Sequence, residues 1–145
     1  MKANPSRVAA AADGAGVSSR EIATLLGISE AAAWDILTQP HEFSYCLSLR
    51  EVLVLSTRLS VPVISLLSEP PAAAREHRSF VQLAVEIQAY CAVHHLSVEQ
   101  FGERAGWDVR QFLAVPDPAL DDWCLDTLAD ICRTSGLHWP EYLPE

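Results

Sequence analysis

Hydrophobic positions along this chain recur at spacings of three and four, the period of amphipathic helices. The pattern is clearest from Ser18 to Leu37, SSREIATLLGISEAAAWDIL. Ser18 is placed to cap a helix, with Glu21 as the reciprocal partner of a capping box, and Ile22, Leu25 and Leu26 form the apolar face. Gly27 stands where that helix must stop and the chain must turn, a position suited to a residue that tolerates positive φ. Ser29 caps a second helix whose apolar residues are Ala33, Trp34, Ile36 and Leu37.

Around this pair the pattern predicts further helices. One starts after Asn4-Pro5 and ends near Asp13-Gly14. A loop follows the pair, Thr38 to Leu47, opened by Pro40 and containing Phe43 and Tyr45. Ser48, with Glu51, caps a helix that buries Leu49, Val52, Leu55 and Leu59, and Val61-Pro62 begins a short final helix carrying Ile64, Leu66 and Leu67. Residues 68–78, SEPPAAAREHR, have two prolines and no apolar period, which reads as a linker. A longer helix, roughly Ser79 to His94, comes next, with Phe80, Leu83, Val85, Ile87, Ala89 and Cys91 among its apolar positions.

Then the opening pattern returns. Ser97 and Gln100 repeat the capping box, and Phe101, Ala105, Gly106 and Trp107 stand 79 positions after Ile22, Leu26, Gly27 and Ile28. Leu125, Leu128, Ile131 and Leu143 follow Leu49, Val52, Leu55 and Leu67 at an offset of 76, and Gly136 stands where the first copy has Ser60. The three-residue difference falls in the loop before the fourth helix. An internal duplication of a five-helix unit is the reading, each copy containing two helices joined by a glycine turn, a helix-turn-helix.

The 145 residues suffice for one ordinary domain or two small ones, and half of them are apolar. No run is long enough to span a membrane. The opening MKANPSRVAAAADGAG has no continuous apolar segment of the signal-peptide kind, and Cys46, Cys91, Cys124 and Cys132 form no CxxC pair, so reduced, buried thiols in a cytoplasm are expected. Charge changes the picture more. The net is −9; residues 1–69 carry 5 basic and 7 acidic side chains, residues 70–145 carry 5 and 12. Lys2 is the one lysine, so a lysine-rich patch is excluded and DNA would have to be met by a few clustered arginines.

Each half resembles the phage-repressor and Cro-like helix-turn-helix family. The matching residues are VSSREIATLLGIS and SLREVLVLSTRLSVPVISLL in the first half, LSVEQFGERAGWD and LDTLADICRTSGLHWPEYL in the second. The first match is the closer; the second departs from the pattern at Gly102 and at bulky Trp107 in the turn. The resemblance implies an all-α fold of two tandem five-helix repressor-like helix-turn-helix units packed together, over 1–68 and 79–145 with the linker at 69–78. It also implies operator DNA as partner, with the second helix of the motif in the major groove and the first near the phosphates. Carried over, the base-facing positions are Glu30, Ala31 and Ala32, and Val109, Arg110 and Gln111; the phosphate-side positions are Ser19 and Arg20, and Val98 and Glu99. Arg and Gln suit guanine and adenine, whereas Glu30 and two alanines offer little to a base and Asp35, Glu99 and Asp108 carry the wrong sign.

Two functions therefore stand side by side. One is a transcriptional regulator that binds DNA through Arg110, Gln111, Arg20 and Arg104. The other is an acidic, degenerate module that binds a basic protein, with Asp122, Asp126 and Asp130 at i, i+4 and i+8 as its docking stripe. Against each stands a plainer reading: Arg110 and Gln111 as ordinary helix surface, Arg20 paired to a nearby carboxylate, the aspartates as a solvated face. A homodimer is left open. Neither a catalytic constellation nor a phosphate-cradling glycine loop is evident, so no enzyme, metal or cofactor is expected. His94 and His95 point to different sides of a helix end and lack companions at ligand spacing. Phe43 and Tyr45 are expected to cover the junction of the halves or to meet a second subunit. The placement of Arg20, Arg50, Arg58, Arg104 and Arg110 discriminates: a shared face favours DNA, scatter among carboxylates favours a protein partner.

Overall fold

A computed structural model describes residues 5–144 apart from 40 and 68. Pro40, expected to open the loop, and Lys2 lie outside the described residues. The elements are all helical: α1 (Pro5–Gly14), α2 (Ser19–Leu26), α3 (Glu30–Thr38), α4 (Glu42–Tyr45), α5 (Leu49–Leu59) and a 3-10 turn (Val63–Leu66), then α6 (Phe80–Val93), α7 (Val98–Ala105), α8 (Arg110–Ala114), α9 (Ala119–Asp122), α10 (Leu125–Thr134) and a second 3-10 turn (Trp139–Tyr142). Five helices and a 3-10 turn thus occur twice in the same order. The loop before the long fourth helix of the sequence reading holds a short helix in each half, α4 and α9, and the expected last short helix is a 3-10 turn.

The helix ends follow the capping chemistry. The side chains of Ser18, Ser29, Ser48 and Ser97 accept from the backbone N–H three residues on, at 3.0–3.2 Å. The box is reciprocal at Ser48/Glu51 and Ser97/Gln100, and also at Ser79/Gln82, where the sequence reading did not identify it. At Ser18 the Glu21 carboxylate instead reaches Arg58 on α5, at 3.1 Å.

The turns repeat as well. Six described residues have positive φ, and they form three pairs: Gly16 with His95, Gly27 with Gly106, and Ser60 with Gly136. Their separations are 79, 79 and 76, the offsets of the sequence self-match. At each, the next N–H closes back on a carbonyl five residues earlier: Ile28 on Ala23 and Trp107 on Gly102, for example, at 3.0 and 3.1 Å. These are left-handed helix terminations that satisfy carbonyls otherwise left open.

One continuous core runs through both halves. Val8, Ile22, Ala33, Ile36, Phe43, Leu49, Val52 and Leu55 are buried together with Leu83, Ile87, Phe101, Phe112, Leu125, Leu128 and Ile131. Packing inside the halves corresponds: α1 lies on α3 as α6 lies on α8, and α2 on α5 as α7 on α10. Packing between them is reciprocal, α4 of the first half against α10 of the second and α9 of the second against α5 of the first. Each half offers the same two elements, the arrangement of an isologous interface. Phe43, fully buried on α4, is its anchor, and burying a phenylalanine stabilises by about 1.5–3 kcal/mol. Tyr45 reaches Trp107 of the other half, ring centroids 6.5 Å apart. The expectation that these aromatics cover the junction agrees with this placement.

Candidate functional site

The residues singled out for recognition lie at the starts of α3 and α8. Ser29 caps α3 and leaves Glu30 and Ala31 exposed and Ala32 half-buried. Trp34, one of the apolar residues of this helix, is 59% exposed, while Ala33 and Ile36 are buried and Leu37 packs partly against the core. Arg20 on α2 lies over Glu30 at 3.9 Å, both side chains largely in solvent.

In the second half Gly106 turns the chain from α7 into Trp107, Asp108 and Val109, and α8 is only five residues long. Val109, placed among the base-facing positions by the resemblance, is fully buried. It sits just before α8, where the apolar spacing with Phe112 turns it into the core. Arg110 and Gln111 are exposed. The Arg110 guanidinium folds back onto Asp108, Nε donating to Oδ1 at 3.1 Å and Nη2 to Oδ2 at 2.8 Å, while the Arg110 backbone N–H donates to Oδ1 at 3.0 Å. These hydrogen bonds hold the Asp108 carboxyl down to about 2 and raise Arg110 above its ordinary value. Arg104, exposed in the last turn of α7, has no ion-pair partner among the described residues. Arg58 is paired to Glu21 and Arg50 to Asp121, the latter at 2.6 Å. Four of the five discriminating arginines therefore stand beside carboxylates.

Asp122, Asp126 and Asp130 do not form one stripe. α9 ends at Asp122, Trp123 and Cys124 run extended, and α10 starts at Leu125, so the i, i+4, i+8 relation is broken between the first two. The extended residues place Trp123 in the core. Asp122 is exposed. Asp126 is half-buried against α4; burial pushes its carboxyl up, and a hydrogen bond with Ser44 opposes this. Asp130 accepts from Trp107 Nε1 at 3.1 Å and from Arg133 at 3.0 Å. Two of the three carboxylates thus serve internal contacts.

His94 closes α6 with its ring on Tyr90, centroids 4.1 Å apart, and His95 takes the left-handed turn. Among the described residues, no three of His, Cys, Asp and Glu cluster as metal ligands would, and no helix is long and apolar enough to cross a membrane.

Two concave sites flank Trp107. One, about 440 Å³, lies over α7, with Glu99, Gly102, Glu103 and Arg110 on its walls. The other, about 530 Å³, lies between α8 and α9, floored by Phe112, Ala119 and Trp123 and rimmed by Asp108, Val115 and Asp122. The sequence reading missed this second site. In the sequence its trace is the closeness of Trp107, Phe112, Val115 and Trp123, but their convergence depends on how α8 meets α9. Comparison with protein-family models, with curated proteins and with solved structures gives no match to this chain.

Proposed function

We propose that the chain is a duplicated, acidic form of the repressor-like helix-turn-helix unit, and that it serves transcription control in the cytoplasm by binding a basic protein rather than by reading DNA. The observation that carries this reading is the state of Arg110. A guanine edge or a phosphate needs the arginine fork free, and here both oxygens of Asp108 occupy it. The pairs Arg20–Glu30, Arg58–Glu21 and Arg50–Asp121 support the same reading, as does a net charge of −9, whose field repels duplex DNA at long range. The burial of Val109 and the short side chains of Ala31 and Ala32 leave little to meet base edges.

A second reading, DNA binding through the second copy, is favoured by two exposed side chains, Gln111 and Arg104, the latter with no ion-pair partner among the described residues. A titration against a random pool of labelled duplexes, at about 50 and 200 mM salt, separates the two. The proposal expects no saturable binding at either salt. Binding that weakens steeply with salt and disappears in Arg110→Ala or Arg104→Ala would overturn it.

A further inference from the structure

The groove between α8 and α9 combines aromatic residues with exposed carboxylates. Its floor is aromatic and nearly buried: Phe112 and Trp123 stack with centroids 4.2 Å apart and planes tilted by 30°, and Phe80 meets both from the core side. Trp107 closes one end, its indole N–H fixed by Asp130. Val115, 57% exposed, stands on the rim, an aliphatic group in water beside an apolar floor. At about 530 Å³ the groove is within the ~300–1,000 Å³ range of ligand sites.

Its rim has one sign of charge. Asp122 and nearby Asp117 are exposed with no cation partner among the described residues. From 111 to 132 the chain holds five aspartates and neither lysine nor arginine. Of the neighbouring cations, Arg110 pairs with Asp108 and Arg50 with Asp121. An apolar floor asks for aliphatic side chains, and an unneutralised acidic rim asks for cations beside them. Nucleic acid can stack bases on aromatic rings but brings its phosphates against the acidic rim, whereas a basic amphipathic segment satisfies both demands.

We infer that this groove docks a short segment of a partner protein that seats an aliphatic side chain against Val115 and Trp107, where the edges of the buried Phe112 and Trp123 reach the surface, and sets arginine or lysine against Asp122 and nearby Asp117. The inference rests on the proposed protein-binding function and assigns it a place and a partner chemistry. Because the floor is already packed, little ordering cost falls on this side of the complex.

The chain's four tryptophans supply the test, since Trp107 and Trp123 belong to the groove while Trp34 lies on α3 and Trp139 begins the second 3-10 turn. The probe is a synthetic amphipathic peptide of about 14 residues with leucines along one face and arginines along the other, and a twin with serine for leucine. Indole N–H signals of the full-length protein are followed by nuclear magnetic resonance during titration. The expected result is a saturable shift of the Trp107 and Trp123 signals with Trp34 and Trp139 unmoved, no saturation with the serine twin, and an affinity at least about tenfold lower in Val115→Arg. The milder Asp117→Asn/Asp122→Asn pair, which only removes charge, weakens binding in the same direction.

Absence of saturation up to about 1 mM peptide, shifts confined to Trp34 or Trp139, or unchanged affinity in all these variants would overturn the groove as the docking site. Random duplex DNA shifting the Trp107 and Trp123 signals would overturn it too. These outcomes are distinct from failure of the proposed function, which is registered by salt-sensitive DNA binding lost in Arg110→Ala or Arg104→Ala, whatever the peptide does.

Discussion

The backbone N–H of Leu49 donates to the carbonyl of Trp123 at 2.8 Å, so the first turn of α5 in one half is tied to the α9–α10 junction of the other. An N–H at a helix start has no partner within its own helix, and here the opposite half provides it. The adjacent Arg50–Asp121 pair runs across the same seam but lies in solvent.

One consequence concerns cooperativity. With Phe43, Leu49 and Leu125 in a shared core, the halves are expected to unfold together. Urea denaturation followed by Trp34 in the first half and by Trp107, Trp123 and Trp139 in the second, using single-tryptophan variants, should give coincident transitions. Phe43→Ala should lower stability by about 3–5 kcal/mol and move both probes equally. Arg50→Ala should barely move the midpoint, since exposed ion pairs contribute little.

Gly102 makes a second test. A Cβ at this position would sit 2.9 Å from the Trp107 carbonyl oxygen, which belongs to backbone and has little room to retreat. At the matching place in the first half Ala23 is accommodated and buried. Alanine ordinarily gains about 1 kcal/mol over glycine inside a helix, yet Gly102→Ala is expected to destabilise by about 1–3 kcal/mol through the clash. A urea midpoint above that of the wild type would contradict the close approach.

Acid and neutral pH act on the aspartates in opposite senses. Burial raises the folded-state value of Asp126 above the ~3.9 of an unfolded chain, so its favourable contribution is complete below about pH 4 and is lost as pH rises through the raised value. Asp126→Asn should therefore raise the melting temperature at pH 7, with the difference from wild type shrinking toward pH 4. Asp108 is held down to about 2, chiefly by its hydrogen bonds with Arg110, so its contribution is present above about pH 4 and fades as pH falls toward 2. Asp108→Asn should flatten that acid limb. Melting curves from pH 2 to 8 check both, over the range these shifts define.

The thiols are expected to be slow. Cys46 is exposed, but a hydrogen bond to the Glu42 carboxylate, followed by partial burial, pushes it up to about 11. Burial raises Cys91 and takes Cys132 up to about 12. With a chromogenic disulfide at about pH 8, no thiol should react promptly in the native protein, because the thiolate is the reactive form. Glu42→Gln should speed Cys46 alone, and all four cysteines should react at once in denaturant.

Much of the helix layout was legible because its causes are local. Ser18, Ser29, Ser48 and Ser97 cap helices through bonds to residues three positions away, and Gly27, Gly106 and Gly136 take the left-handed turn at the positions their spacing indicates. The repeat offsets of 79 and 76 reappear in backbone conformation, even where His95 and Ser60 replace glycine. The candidate site was less legible. Arg110 and Gln111 are exposed as expected, whereas Val109 is buried, Trp34 is in solvent, and the three aspartates are divided by an extended step at Trp123.

The sequence by itself determined that the chain is helical and where most helices start and stop, since capping, turn conformation and apolar period act over a few residues. Only the tertiary structure decided which side chains face outward, that α4 and α9 form and cross to the opposite half, and that Arg50 meets Asp121 from 71 residues away. Those outcomes depend on contacts between segments distant in the chain, whose apolar faces and charges are interchangeable until packing brings particular pairs together.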